Sequence, residues 1–182
     1  MIELKAKTPL VVSKGEKGLL AKKRRVLFLC THNAARSQMA EGFLRHLYWD
    51  KYEAFSAGAS PTRVNPLAIR AMSEVGIDIS GHRSKSIEEF RGQDFDLVAT
   101  VCVSTSKLLC PFCSTRPLSM GKREVPEAIR TTVNAKKWIE HGFADPSEVE
   151  GGDEEKLTAF RRTRDEIAKW ITDYFADLEL IS

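Results

Sequence analysis

A run of four apolar residues, Val26-Leu27-Phe28-Leu29, leads straight into Cys30, and six residues later Arg36 opens an amphipathic stretch. The apolar run suits a strand buried on both faces. Beyond Arg36, Met39, Phe43, Leu44 and Leu47 recur at helical spacing. The segment therefore predicts strand, short loop, helix. The loop is Cys30-Thr31-His32-Asn33-Ala34-Ala35-Arg36, with a cysteine at one end and an arginine at the other.

This spacing has a chemical reason. A loop feeding a helix N-terminus aims several backbone N–H groups at one spot, and the helix dipole adds partial positive charge there. A tetrahedral oxyanion fits such a cradle, formed by the backbone of Thr31, His32, Asn33, Ala34 and Ala35. Arg36 adds a planar fork for two oxygens. The same field favours the thiolate of Cys30, the nucleophilic form. Ser37 either donates to that thiolate or caps the helix. No residue from Cys30 to Ser37 is glycine, so Asn33 is the candidate for a left-handed backbone. The competing reading is a structural cysteine at a strand end, with Arg36 on a solvated surface.

The length of 182 residues predicts one domain with a sizeable core. No apolar run approaches a membrane span, and the N-terminus lacks the apolar core of a signal peptide. A cytoplasmic location and a monomer are expected. Four cysteines in such a setting point to catalysis or metal binding. Net charge is +3, yet residues 1–25 carry eight Lys or Arg against two Glu, leaving −3 for the rest. Residues 1–25 thus read as a solvated basic arm, and residues 26–182 as the domain. Ile2, Leu4 and Ala6 alternate with polar residues, which leaves a short added strand open. The arm would attract nucleic acid, but nothing in the body supports specific readout.

Tyr52 to Ala57 reads as a second strand closed by Gly58. Pro66 suits the first turn of a helix with an apolar face of Leu67, Ala68, Ala71, Met72 and Val75, ended by Gly76. Ser86 and Glu89 have capping-box spacing for a short helix with Ile87 and Phe90. His82 reads as a local hydrogen-bonding residue. Phe95 to Val101 is a third strand with Cys102 at its C-terminal end, where open α/β sheets do their chemistry. Cys110-Pro111-Phe112-Cys113 is a redox or metal motif, and zinc held by Cys102, Cys110, Cys113 and His141 is one reading of it. Residues 114–137 show no clear pattern beyond a turn of helix from Pro126, and a fourth strand must run before His141. Asp145-Pro146 is an extended turn. The Asp145 carboxyl either faces the anion or forms the turn and caps a helix. A last helix carries Leu157, Phe160, Ile167, Ile171, Phe175 and Leu178 as its apolar stripe.

Cys30-Thr31-His32-Asn33-Ala34-Ala35-Arg36-Ser37 resembles the active-site loop of the low-molecular-weight tyrosine phosphatases. With Gln38-Met39-Ala40-Glu41-Gly42 after it, the segment resembles still more their relatives, the arsenate reductases regenerated by thioredoxin. His32 departs from the glycine of many members. Phe55-Ser56-Ala57-Gly58, Gly142-Phe143-Ala144-Asp145-Pro146 and Phe160 to Ile167 extend the resemblance from about Val26 to Phe175. The His82-Arg83 pair is more like the phosphatases. The implied fold is a single α/β domain, four parallel strands in order 2-1-3-4 with helices on both faces.

The implied activity is reduction of arsenate to arsenite. Cys30 is the nucleophile, Arg36 and Ser37 assist it, and Asp145 is the acid. Cys102 and Cys110 match the two resolving cysteines, with one more intervening residue here. Cys113 has no counterpart and is a further resolving candidate. Thioredoxin is the implied reductant, with no metal or organic cofactor. The alternatives are a tyrosine phosphatase, which needs no extra thiols, and a non-enzymatic redox or metalloid sensor. Potassium-binding reductases hold the cation with a loop asparagine, a strand serine and a downstream carboxylate. Asn33 and Ser56 match the first two, but Lys85 stands at the third. Its ammonium is expected to take the cation's place, with Arg83 adding to the positive field, unless Lys85 simply points into water.

Overall fold

The computed structural model describes residues 22–102 and 127–177. Strands β1 (Arg24–Cys30), β2 (Tyr52–Gly58), β3 (Asp94–Cys102) and β4 (Asn134–Phe143) alternate with helices α1 (Arg36–Leu47), α2 (Pro66–Ser73), α3 (Glu127–Arg130) and α4 (Asp153–Asp177). All strand pairs are parallel, in the predicted order β2-β1-β3-β4.

The apolar run explains why β1 is central. Val26 through Cys30 are each at most 2% exposed, which only an inner strand covered on both faces allows. Each buried Leu or Phe there contributes about 2 kcal/mol. Leu157, Phe160, Ile167, Ile171 and Phe175 of α4 are all buried. Trp170, from the same helix, meets Phe28 edge-on at 6.1 Å and Phe143 at 5.8 Å, and stacks on His141 at 4.8 Å. These contacts tie the end of β4 to the middle of β1.

Local signals also hold. Asn65 caps α2 through its side chain, with Pro66 at the first position. Gly76 sits at φ +78°, the left-handed turn expected of it. The helix ends at Ser73, so Val75 lies in the turn after it. Ser86 and Glu89 form a reciprocal capping box on the short 3-10 turn Ile87–Phe90.

Two boundaries differ from the sequence reading. Arg24 and Arg25 are not in a loose arm but begin β1. The Arg25 guanidinium lies over Phe95 at 4.6 Å and Phe55 at 4.9 Å, and donates to the Asp94 carbonyl at 2.7 Å. Cation–π contact and hydrogen bonding hold a residue that charge alone assigned to solvent. Strand β4 does not stop before His141 but runs through it to Phe143. Its polar, largely exposed residues are those of an edge strand and give no apolar run. The helical turn expected from Pro126 is α3. Residues 1–21, Cys110, Cys113 and Leu178 lie outside the described residues.

Candidate active site

Strand β1 delivers Cys30 to the loop, and α1 begins at Arg36. The loop's carbonyls are tied outward. Thr31 O accepts from Ser60 N at 2.9 Å, His32 O from Thr62 N at 3.2 Å and Ser84 Oγ at 2.9 Å, and Ala34 O from Asn65 N at 2.8 Å. Asn33 O accepts from Gln38 Nε2 at 3.1 Å, and Ala35 O from Met39 N at 2.9 Å. A trans peptide sets N–H opposite C=O. With these carbonyls engaged, the opposed amides of the loop are left free to face an anion. Asn33 has φ +48°, the left-handed kink that closes such an anion nest.

Hydrogen-bond directions around the Asn33 side chain are fixed. Asn33 Oδ1 accepts from the Lys85 backbone N–H at 2.7 Å and from Gln38 Nε2 at 2.8 Å. Its Nδ2 then donates to Ser37 Oγ at 2.8 Å and Ser56 Oγ at 2.9 Å. A hydroxyl has one proton. Ser37 Oγ accepts from Asn33 and keeps a second acceptor site, so across the 2.9 Å to Cys30 Sγ either atom can donate to the other, and toward a thiolate the serine is the donor. The capping alternative for Ser37 is not what the structure has. The N-cap of α1 is Ala35, with no side-chain cap bond.

Beneath the loop, Ser56 donates in turn to Glu41, a carboxylate 1% exposed. Glu41 also pairs with Lys85 Nζ at 3.2 Å and Arg45 at 2.7 Å. Lys85 does not point into water: its side chain is 13% exposed. Arg83, expected to strengthen the field, is instead exposed and paired with Glu89. His82 bonds Gln38 Oε1 through Nδ1 at 2.9 Å, reaching across to α1 rather than acting locally. Burial is the main force holding its imidazole below the ordinary value.

Arg36 is buried, donating Nη1 to the Phe143 carbonyl at 3.1 Å and pairing Nη2 with Asp145. The other oxygen of Asp145 accepts from Ser147 N at 3.0 Å and Ser147 Oγ at 2.6 Å. One Asp145 oxygen therefore caps the turn Pro146–Glu148, as one sequence reading had it, and the other pairs with Arg36. His32 is exposed at the mouth, its Nδ1 3.1 Å from Ser60 O.

Cys102 ends β3, the strand beside β1. Leu29 pairs with Thr100, so Cys102 stands one residue further along than Cys30. Strand spacing and that stagger give a Cα separation of about 6 Å, but a stagger of one residue sets the two side chains on opposite faces of the sheet, so a disulfide between them requires the backbone at the strand ends to move. Both are buried and neither is disulfide-bonded. Among the described residues no group of three His, Cys, Asp or Glu could hold a metal, and the His141 ring is stacked on Trp170.

Sequence reasoning missed Gly58, Gln38 and the role of Glu41. A Cβ on Gly58 would lie 2.8 Å from both Asn33 N and Thr31 O, so the loop rests on bare backbone. Gln38 and Glu41, polar residues three apart on the first turns of α1, were the available signal.

The chain matches the model of the low molecular weight phosphotyrosine protein phosphatase family over residues 25–180. It is 40% identical over 152 residues to an arsenate reductase of Halalkalibacterium halodurans, covering 84% of this chain and 95% of that one. It is 36% identical over 149 residues to an arsenate reductase of Bacillus subtilis, covering 82% and 93%. A solved arsenate reductase in the phosphate binding state superposes with a TM-score of 0.60 at 32% identity, over 85% of this chain and 98% of that one. The low molecular weight protein tyrosine phosphatase from T. tengcongensis gives 0.56 at 27% identity, over 85% and 99%. On strand order, loop geometry and these matches together, the chain belongs to the low molecular weight phosphotyrosine protein phosphatase family.

Proposed function

We propose that the protein reduces arsenate to arsenite, with electrons supplied through its cysteines. The observation that carries this reading is a second thiol, Cys102, beside an oxyanion cradle whose nucleophile is Cys30. Arsenate lies against the inward amides and takes the Arg36 fork from Asp145. The Cys30 thiolate, held by the Ser37 proton, attacks arsenic. A hydroxyl leaves with a proton from Asp145 as water. Cys102 then attacks Cys30 Sγ. The sulfur–arsenic electron pair stays on arsenic, which departs as arsenite, and a Cys30–Cys102 disulfide remains. Cys110 attacks Cys102, freeing Cys30 and carrying the disulfide outward, with Cys113 as a further partner. A dithiol reductant of the thioredoxin class restores the start. The protein acts as a cytoplasmic monomer.

Aryl-phosphate hydrolysis is the second reading, because the cradle, Cys30 and Asp145 serve phosphate equally and a tyrosine phosphatase shares the fold. The flanks of Asp145, Ala144 and Pro146, offer no aromatic pair to clasp a tyrosine ring. Parallel assays of arsenate with thioredoxin and of p-nitrophenyl phosphate separate the two. Cys30→Ser should abolish both. Cys102→Ser and Cys110→Ser should abolish steady-state arsenate reduction and leave slow phosphatase activity. Full thioredoxin-driven turnover in Cys102→Ser would refute the relay.

A further inference from the structure

Gln38 stands on the first turn of α1 and is 0% exposed. The two protons on its Nε2 serve three acceptors: the Asn33 carbonyl at 3.1 Å, Asn33 Oδ1 at 2.8 Å and the Arg83 carbonyl at 2.9 Å. None of the three can donate. Oδ1 of Asn33 is itself placed by the Lys85 N–H, from which it accepts at 2.7 Å. The Gln38 amide therefore has one orientation, with Oε1 left to accept from His82 Nδ1 at 2.9 Å.

Two of those acceptors belong to one residue. A single amide that grips both the main-chain and the side-chain oxygen of Asn33 fixes the torsions between them, in a residue whose φ of +48° lies in the left-handed region. The peptide that carries the Asn33 carbonyl carries the Ala34 N–H on its opposite edge. That N–H donates to no group among the described residues, and Ala34 is half-buried where Asn33 is fully buried. The ψ torsion of Asn33 thus sets where the Ala34 amide points, and Gln38 holds that torsion. A methionine would fill the same volume, so what the glutamine adds is its donors.

We propose that Gln38 is a positioning residue of the cradle: it holds the peptide plane between Asn33 and Ala34, and with it the Ala34 N–H, in the orientation an oxyanion needs. This role rests on the reading of Cys30 to Arg36 as an oxyanion cradle. Gln38 touches no reacting atom, so it acts on the share of molecules whose loop is ready before the anion arrives. An anion that binds only that share binds more weakly by the same factor, while turnover at saturation is spared.

The full-length protein, labelled with nitrogen-15, can be titrated with inorganic phosphate and compared with Gln38→Met, which keeps the length and volume of the side chain and removes the donors. In the unaltered protein phosphate should shift the Ala34 amide resonance. The variant should bind phosphate about tenfold more weakly, with its Ala34 resonance displaced in the free protein and brought back toward the unaltered position at saturation. In arsenate assays KM should rise by a similar factor, with kcat within about twofold of the unaltered value. A purely structural role would lower the melting temperature and leave phosphate affinity and KM unchanged, and that result would overturn the proposal. A fall in kcat at unchanged KM would overturn it too. So would an Ala34 amide in the unaltered protein that phosphate does not shift, a measurement for which no variant has to fold. Failure of the unaltered protein to bind phosphate at all would instead overturn the cradle, and the role of Gln38 with it.

Discussion

Among single residues, Gly58 shows how little room the cradle leaves. The contacts a Cβ would meet there are backbone atoms of the loop, which cannot swing aside as a side chain would. Gly58→Ala should therefore move the amides that face the anion. A misplacement approaching 1 Å costs on the order of a hundredfold in rate. The expected result is a fall of that order in kcat/KM for arsenate, with a parallel weakening of phosphate as an inhibitor. Unchanged inhibition by phosphate would mean that the loop absorbs the methyl. Asn33, whose backbone N is part of that contact, serves where a glycine was the simplest choice. Its amide bonds Lys85, Gln38, Ser37 and Ser56, and these bonds offset the strain of φ +48°.

Between elements, the connection His82–Ser86 acts as a latch on the loop. Gln38 reaches the Arg83 carbonyl at 2.9 Å, Ser84 the His32 carbonyl, and the Lys85 amide the Asn33 side chain. The Lys85 carbonyl accepts from Gly58 N at 2.8 Å. Its ammonium reaches Glu41, the carboxylate that anchors Ser56 and through it Asn33. Removing that ammonium would leave the buried Glu41 charge to Arg45 and the Ser56 hydroxyl, and so weaken the anchor beneath Asn33. Because the positive charge is tethered, kcat/KM for arsenate should not change when potassium chloride replaces sodium chloride at constant ionic strength. Lys85→Asp brings a second carboxylate toward Glu41 and should create a dependence on potassium, read in the same pair of assays. A several-fold loss in sodium for the unaltered protein would show that a cation from solution is still needed.

Across the molecule as a whole, acid should loosen the fold through two partly desolvated imidazoles. His82 and His141 are both held below the ordinary value of 6.5, with burial the largest cause. Around His82, Glu41 and Asp78 pull the other way, while Arg45 and Lys85 reinforce burial. The unfolded chain therefore takes up protons at a higher pH than the folded one. Stability is full above about pH 6.5 and falls as pH drops below it. Urea unfolding from about pH 7 to about pH 5 should show that fall. His82→Asn, which keeps a donor near Gln38 without a titrating ring, should lessen it. A slope equal to that of the unaltered protein would assign the acid sensitivity elsewhere.

Local order is written in neighbouring residues. The strand–loop–helix around Cys30, the start of α2 and the capping box at Ser86 follow from hydrophobic period, propensity and short-range hydrogen bonds, which adjacent positions carry among themselves. Strand order came from the resemblance to a known family, while the apolar run at 26–29 by itself asked only for a strand with two covered faces. Long-range pairing came with the folded sheet. Folding placed the end of β4 beside Trp170, put Arg25 over two phenylalanine rings and brought Asp145 to Arg36, 109 positions away. It also made Lys85 the partner of Glu41, 44 positions apart. Contacts between such distant positions leave no periodic trace in either segment, since each is satisfied by geometry that exists only once the sheet has assembled.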